Sequence, residues 1–221
     1  MITPKARIIA LMATFVLLGF LNCGVQATTF ANMNSILIPG SGTEGIASPY
    51  PSVINVSGLA GAIADVNVTI SGLSHTFPDD IDILLVGPTG QTVILISDAG
   101  GPHDVTNLAM TFDDEALSFP SNGNSLVSGV FKPINSTVNG GPNDVFPAPA
   151  PAGPYGGLLS VFDGTLPNGN WRLFVFDDEG QDVGRIANGW SLEVATAVPE
   201  PSTWLLVGTG LLTVVMRRRK R

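Results

Sequence analysis

The 221-residue sequence holds one cysteine, two histidines and no uninterrupted apolar run of membrane-spanning length. Each shortage excludes something. With Cys23 alone, no intrachain disulfide framework can form, and a fold without it must rest on its core. With only His75 and His103, few histidines are available to serve as a catalytic base. Cations are scarce where a binding surface would need them. Of the ten Lys and Arg, only Lys132, Arg172 and Arg185 fall between residues 28 and 197. They face seventeen of the eighteen acids, which gives that region a net charge of −14. Such a surface repels a phosphate backbone, so nucleic acid is excluded as a partner, and divalent cations or basic surfaces are favoured. The same region has no window of helical length with a 3.6-residue apolar period, which argues against a helical fold.

The ends of the chain are built differently. Lys5 and Arg7 precede a mostly apolar run from Ile8 to Leu21, and Val25-Gln26-Ala27 then supplies small residues. This order of charge, apolar run and small-residue site predicts a secretory signal peptide over residues 1–27. The expected signal peptidase cut leaves Thr28 as the first mature residue. Cys23 invites a lipoprotein reading, but Asn22 stands before it where a small residue belongs, so ordinary cleavage is favoured. Cleavage after Ala27 removes the only cysteine and leaves residues 28–197, enough for one domain with a sizeable core.

At the other end Val198, Pro199, Glu200 and Pro201 lead into an apolar stretch from Trp204 to Met216, followed by five basic residues, 217–221. As a helix the thirteen apolar residues would span about 20 Å, short of the ~30 Å hydrocarbon core. The basic block favours the cytoplasmic side. The two prolines keep the segment before the anchor extended and accessible. This tripartite tail resembles the PEP-CTERM sorting signal over residues 198–221. The resemblance implies recognition by an exosortase, removal of the tail, and release to the outer surface or matrix of a Gram-negative-type cell. A permanent tail anchor is the plainer alternative, but it needs no Pro-Glu-Pro and usually more length.

Between the ends the pattern is β. Strands are expected at Val53–Val56, Ile63–Ile70, Ile81–Val86, Thr92–Ile96, Leu108–Phe112, Leu159–Phe162, Trp171–Phe176 and Trp190–Ala195. Gly87-Pro88-Thr89-Gly90 joins the third and fourth as a hairpin turn. Many short strands with Gly-rich turns predict a β-sandwich or jelly roll. Residues 139–157, rich in Pro, Gly and Ala, read as an insertion because strand patterns resume after them.

The segment from Leu73 through Phe77-Pro78-Asp79-Asp80-Ile81-Asp82 to Gly90 resembles the P domain, or Homo B domain, of proprotein convertases. Thr111–Asp114, Leu159–Gly164, Gly169–Leu173, Asp182–Gly184 and Gly189–Leu192 continue the resemblance in order. It covers roughly Val53 to Val194, interrupted by the insertion. The family implies an all-β jelly-roll sandwich, galactose-binding-like, of eight or nine strands, which usually follows and stabilises a subtilisin-like protease. The expected whole is thus a sandwich between an N-terminal signal helix and a short C-terminal transmembrane helix.

No catalytic site is expected. A serine protease needs a nucleophile, a base and an orienting acid, and no stretch resembles the subtilisin motifs. His75 reads as a turn or capping residue and His103 as a solvated loop residue. Asp163-Gly164-Thr165 resembles an aspartic-protease triplet only weakly. Trp171 and Trp190 read as core rather than sugar platforms.

The acids cluster at 79–82, 113–115 and 177–179, beside aromatic strand residues. Calcium takes six to eight oxygens, so acids from converging loops make a reasonable site, although the spacing of an EF-hand is missing. Asp98, Asp104, Asp113 and Asp114 are the expected ligands, on the reasoning that a short strand and its loop bring them together; solvated strand ends are the alternative. The expected function is a non-catalytic exported surface or extracellular-matrix protein, its sandwich structural or adhesive, with calcium bridging to extracellular polysaccharide or a matrix protein. An accessory role in trans on an exported protease is the second expectation, and a hydrolase built from acidic pairs the third.

Overall fold

The apolar runs between the termini do form strands, and the strands stack as two sheets. The computed structural model describes residues 23–39, 43–136 and 144–199. The predicted signal helix and transmembrane helix fall on residues outside that set, as do Glu200 and Pro201. Among the described residues no helix is long and apolar enough to cross a membrane. The chain divides into one unit of Gly24–Val198 and one of the two terminal segments, 1–23 and 199–221.

Among the described residues thirteen strands appear in order: β1 (Cys23–Asn32), β2 (Ile36–Leu37), β3 (Gly45–Ile46), β4 (Ser52–Val56), β5 (Ile63–His75), β6 (Ile81–Val86), β7 (Thr92–Ser97), β8 (Val105–Phe112), β9 (Gly129–Phe131), β10 (Ile134–Asn135), β11 (Gly169–Asp177), β12 (Gly184–Ile186) and β13 (Trp190–Pro199). One sheet contains β1, β13, β5, β12 and β2, with β8 and β9 added beyond β5; the other contains β10, β7, β6 and β11, with β3 and β4 on the far side of β11. Pairing is mostly antiparallel, with β8–β9 and β10–β7 parallel. The protein is therefore the all-β sandwich that its sequence predicts.

Strand β5 is the spine of its sheet. Its first half pairs with β13 and its last residues with β12. The register against β8 shifts around Gly72, whose φ is +80°, a conformation open to glycine. A bulge at that point bends a long strand so that its two halves meet different partners.

Period-2 alternation sends one face of each strand inward. Val66, Val68 and Ile70 of β5, Leu192 and Val194 of β13 and Phe112 of β8 meet Ile83 and Leu85 of β6, Leu95 of β7, and Trp171, Leu173 and Val175 of β11. Trp171 and Trp190 both lie in this core, as the sequence suggested. Trp171 donates to the Pro167 carbonyl at 2.9 Å and Trp190 to the Ser52 hydroxyl at 3.0 Å, so neither indole N–H is left bare.

Strand β6 is buried along its whole length, because its outer face is covered too. Leu84, Val86, Ile94 and Phe174 form a second small core with Phe146, against which Tyr50, Ala150, Tyr155 and Phe176 pack. Phe146, Ala150 and Tyr155 belong to the predicted insertion. It is thus a flap on the second sheet, tied down by exchanged bonds between Gly156 and the β7 residues Thr92 and Ile94. The Tyr50 hydroxyl adds a bond to the Pro147 carbonyl at 2.9 Å.

One predicted strand is wrong. Leu159–Phe162 is a 3-10 turn, not a strand. Its burial is not alternating: Leu159 and Phe162, three apart, are the two that enter the core, which is the spacing of a 3-10 turn. Phe162 packs edge-on to Trp171 at 4.8 Å between ring centroids.

Candidate functional site

The four aspartates expected to hold calcium do not converge. Asp104 and Asp113 flank β8, an eight-residue extended strand, and at ~3.3 Å per residue they stand roughly 30 Å apart. The strand meant to bring them together is what separates them. Asp98 follows β7 in the other sheet. It is buried, with a φ of +50°, and its acidic neighbours include Asp144 and Asp79. Asp104 is exposed.

Two separate acidic groups result. The first lines a recess of ≈ 320 Å³ formed by Asp65, Asn67, Asp113, Asp114, Glu115, Ser160 and Asp163, among others. The two Asp114 oxygens accept the backbone N–H groups of Leu159 and Ser160 at 3.0 and 2.9 Å. That bond pair caps the 3-10 turn and is a structural task. Asp113 accepts the Glu115 N–H at 2.7 Å. Burial and then the Asp113, Glu193 and Asp114 charges push the Asp65 carboxyl up. Burial, Asp65 and Asp114 do the same to Asp163.

The second group gathers where β6 begins and its antiparallel neighbours β7 and β11 end. Asp82 lies under the flap with its carboxyl pushed up to about 8, by burial first and then by Asp144, Asp178 and Asp98. The Ser97 hydroxyl serves both Asp82 and Asp98, with one proton for two carboxylates. Asp178 is pushed up to about 6 by partial desolvation, then by Asp98 and Glu179, although its side chain reaches solvent. Burial and the charges of Asp182, Asp177 and Asp178 push Asp80 up to about 7. Like charges held this close resist ionising together. Among the described residues, however, no three His, Cys, Asp or Glu side chains stand together closely enough to hold a metal ion.

His75 takes the turn role expected of it. At the end of β5 its Nδ1 accepts the Phe77 N–H at 3.2 Å, which puts the ring proton of the neutral form on Nε2. Nε2 faces Asp177 Oδ2 at 3.5 Å, and both side chains are fully buried. Asp177 is one residue that the sequence reading did not separate from its exposed neighbours Asp178 and Glu179. The signal was present: in β11 it continues the inward series Trp171, Leu173, Val175. His103 is exposed, as expected of a loop residue.

The sorting residues sit at the very end of the sandwich. Val198 and Pro199 are the last two residues of β13. Residues 197–220 match the family model of the PEP-CTERM protein-sorting motif, which marks the chain as an exported protein sorted through the membrane. The match covers the tail and, of the sandwich, only the last three residues of β13. No curated protein matches the chain. Among solved structures, the chain is similar to the serine protease of Aeromonas sobria at 16% identity and a TM-score of 0.37, over 78% of this chain and 27% of that one. It is also similar to a chain in the complex of that protease with its chaperone ORF2, at 18% identity and a TM-score of 0.37, over 79% and 27%. The chain thus spans about a quarter of the length of the solved chains it resembles.

Proposed function

We propose that this chain is a non-catalytic surface or extracellular-matrix protein, processed by an exosortase, whose sandwich is a P-domain-like structural or adhesive module. The observation that carries the reading is the sorting motif at 197–220, joined directly to a β-sandwich. The acid-rich surface supports a role in the matrix, since with five of the seventeen acids buried, twelve still reach solvent against three cations, which suits it to cation-bridged contact with acidic polysaccharide. Calcium enters the reading as such a bridge, held between this surface and a partner that supplies the remaining oxygens, rather than in a cage of the described side chains alone.

A second reading makes the sandwich an accessory domain acting in trans on an exported subtilisin-like protease. The P-domain resemblance of Leu73–Gly90 supports it, by analogy with where that domain usually sits.

The test is a pull-down. Gly24–Val198 is immobilised and exposed to the extracellular fraction of the source cell, with calcium and then with chelator. Retention of polysaccharide or matrix protein that chelator releases supports the first reading. Retention of a protease supports the second. Retention of neither in calcium removes the adhesive role.

A further inference from the structure

Two neighbours fix the protonation of the buried His75 ring at the end of β5. Nδ1 accepts the Phe77 N–H at 3.2 Å, and Nε2 stands 3.5 Å from Asp177 Oδ2. A neutral imidazole offers one acceptor and one donor, which is what these two neighbours require. The imidazolium is a donor at both nitrogens, so its Nδ1–H would point at the Phe77 N–H. The ring has no room to swing aside. A Cβ added at Gly184 would fall 2.0 Å from its Cδ2 and 2.9 Å from its Cγ, so the β12 backbone lies against it.

The Phe77 amide belongs to a closed circuit of contacts. The Phe77 carbonyl accepts the Asp80 N–H at 3.2 Å, across the 3-10 turn Pro78–Asp80. The Asp80 carbonyl accepts the Asp178 N–H at 3.1 Å, and Asp178 follows Asp177, whose carboxyl returns to the same ring. Among the described residues neither Asp177 oxygen has a hydrogen-bond partner. The charged groups gathered at this end are acids: Asp79 and Asp80 from the turn, Asp177 and Asp178 from the end of β11, and Asp182 ahead of β12. On the β8 side His103 and Asp104 precede Val105, the partner of His75, and both are exposed. Arg185 of β12 pairs with Ser74 and is exposed.

The acids favour a second proton on the ring, and the Phe77 N–H opposes it. We infer that the Phe77–Asp80 turn is an acid-opened latch: His75 takes its second proton as the turn lets go of Nδ1, so a fall in pH releases the turn. The proton comes from solvent to Nδ1. Nε2–H stays directed at Asp177, and the Phe77 amide is left to water. A group that gains its proton only in the open form weakens the closed form as pH falls. The surrounding acids act with the opposite sign. Burial and then neighbouring acids raise Asp80 to about 7, and partial desolvation and neighbouring acids raise Asp178 to about 6. Protonating them relieves this end and tightens it in acid. Loosening in acid is therefore the signature of the histidine.

Hydrogen exchange of the full chain in detergent micelles, read by mass spectrometry at pH 8 and pH 5, tests this. Each rate is divided by that of an unstructured peptide at the same pH. Protection of the Phe77 amide is expected to fall roughly tenfold to thirtyfold from pH 8 to pH 5, while Val93–Ile96 of β7 stays protected. The upper figure is what an ordinary imidazole titrating near 6.5 supplies at pH 5. His75→Gln keeps an oxygen for Phe77 and an N–H for Asp177 but cannot take the second proton, so its Phe77 protection is expected to be equal at both pH values. Unchanged or increased protection of wild-type Phe77 in acid overturns the inference. So does a loss shared by β7, or the same loss in His75→Gln. If His75→Gln leaves β7 unprotected at pH 8, Asp80→Asn with His75 intact decides: a loss at Phe77 that persists upholds the latch, and one that disappears assigns it to the acids and overturns it.

Discussion

Asp82 offers the sharpest check on the electrostatics of this sandwich. It stands 4% exposed on the outer face of β6, and its carboxyl is pushed up to about 8 by burial, then by Asp144, Asp178 and Asp98. An ordinary aspartate titrates near 4, and each unit of difference is worth about 1.4 kcal/mol, so full ionisation in the fold costs on the order of 5 kcal/mol. Relaxation of the less buried Asp144 and Asp178 reduces this to ~2–4 kcal/mol. The sign follows from proton binding. The folded state holds the proton between about pH 4 and pH 8 while the unfolded state has lost it. The contribution to stability is complete below the unfolded value and is lost as pH rises through the folded one. Asp80 and Asp178, raised to about 7 and about 6, act in the same direction. Asp82→Asn keeps the shape, removes the charge and gives the neighbouring carboxylates an N–H donor. Urea unfolding of Gly24–Val198, followed by the fluorescence of buried Trp171 and Trp190, should show the wild type weakening from pH 5 to pH 8. The variant should be ~2–4 kcal/mol more stable at pH 8 and within about 1 kcal/mol at pH 5. A wild type that gains stability over this range, or a variant less stable at pH 8, would refute the reasoning.

Three further outcomes follow from packing. Gly184→Ala places a methyl 2.0 Å from the His75 ring and 2.7 Å from the Ser74 carbonyl oxygen; overpacking there should cost ~1–3 kcal/mol in urea unfolding. Phe146→Ala removes the flap's anchor in the second core, and a loss of ~2–4 kcal/mol should come with faster proteolysis between residues 144 and 156. Asp114→Ala deprives two backbone N–H groups of their acceptor, so the amides of Leu159 and Ser160 should exchange faster and stability fall by ~1–2 kcal/mol. An unchanged exchange rate at those two amides would remove the capping role.

Local chemistry made much of this legible. The β6–β7 hairpin was readable because Gly87 and Gly90 punctuate two runs of apolar residues, and the Gly87 and Gln91 backbone groups do close that turn. Trp171 and Trp190 could be placed in the core because each sits inside a β-branched or aromatic strand pattern. The tail was readable as motif, apolar stretch and basic end, an order that needs no fold to define it. Short strands escaped: β2, β3, β10 and β12 have two or three residues, too few to show a period, and exist because a longer strand offers them an edge.

By itself, then, the sequence determined the excess of acids, the β-rich sandwich and the sorting tail, since each is a property of composition or of near neighbours along the chain. The tertiary structure decided which acids meet. Asp113 and Asp104 are nine residues apart in sequence and an extended strand apart in space, while Asp82, Asp98, Asp144 and Asp178 come together from four distant segments. It also decided that a Pro-rich insertion covers a sheet, and that the first strand lies beside the last. Sheet pairing and burial bring together groups far apart in the chain, and no local pattern carries that information.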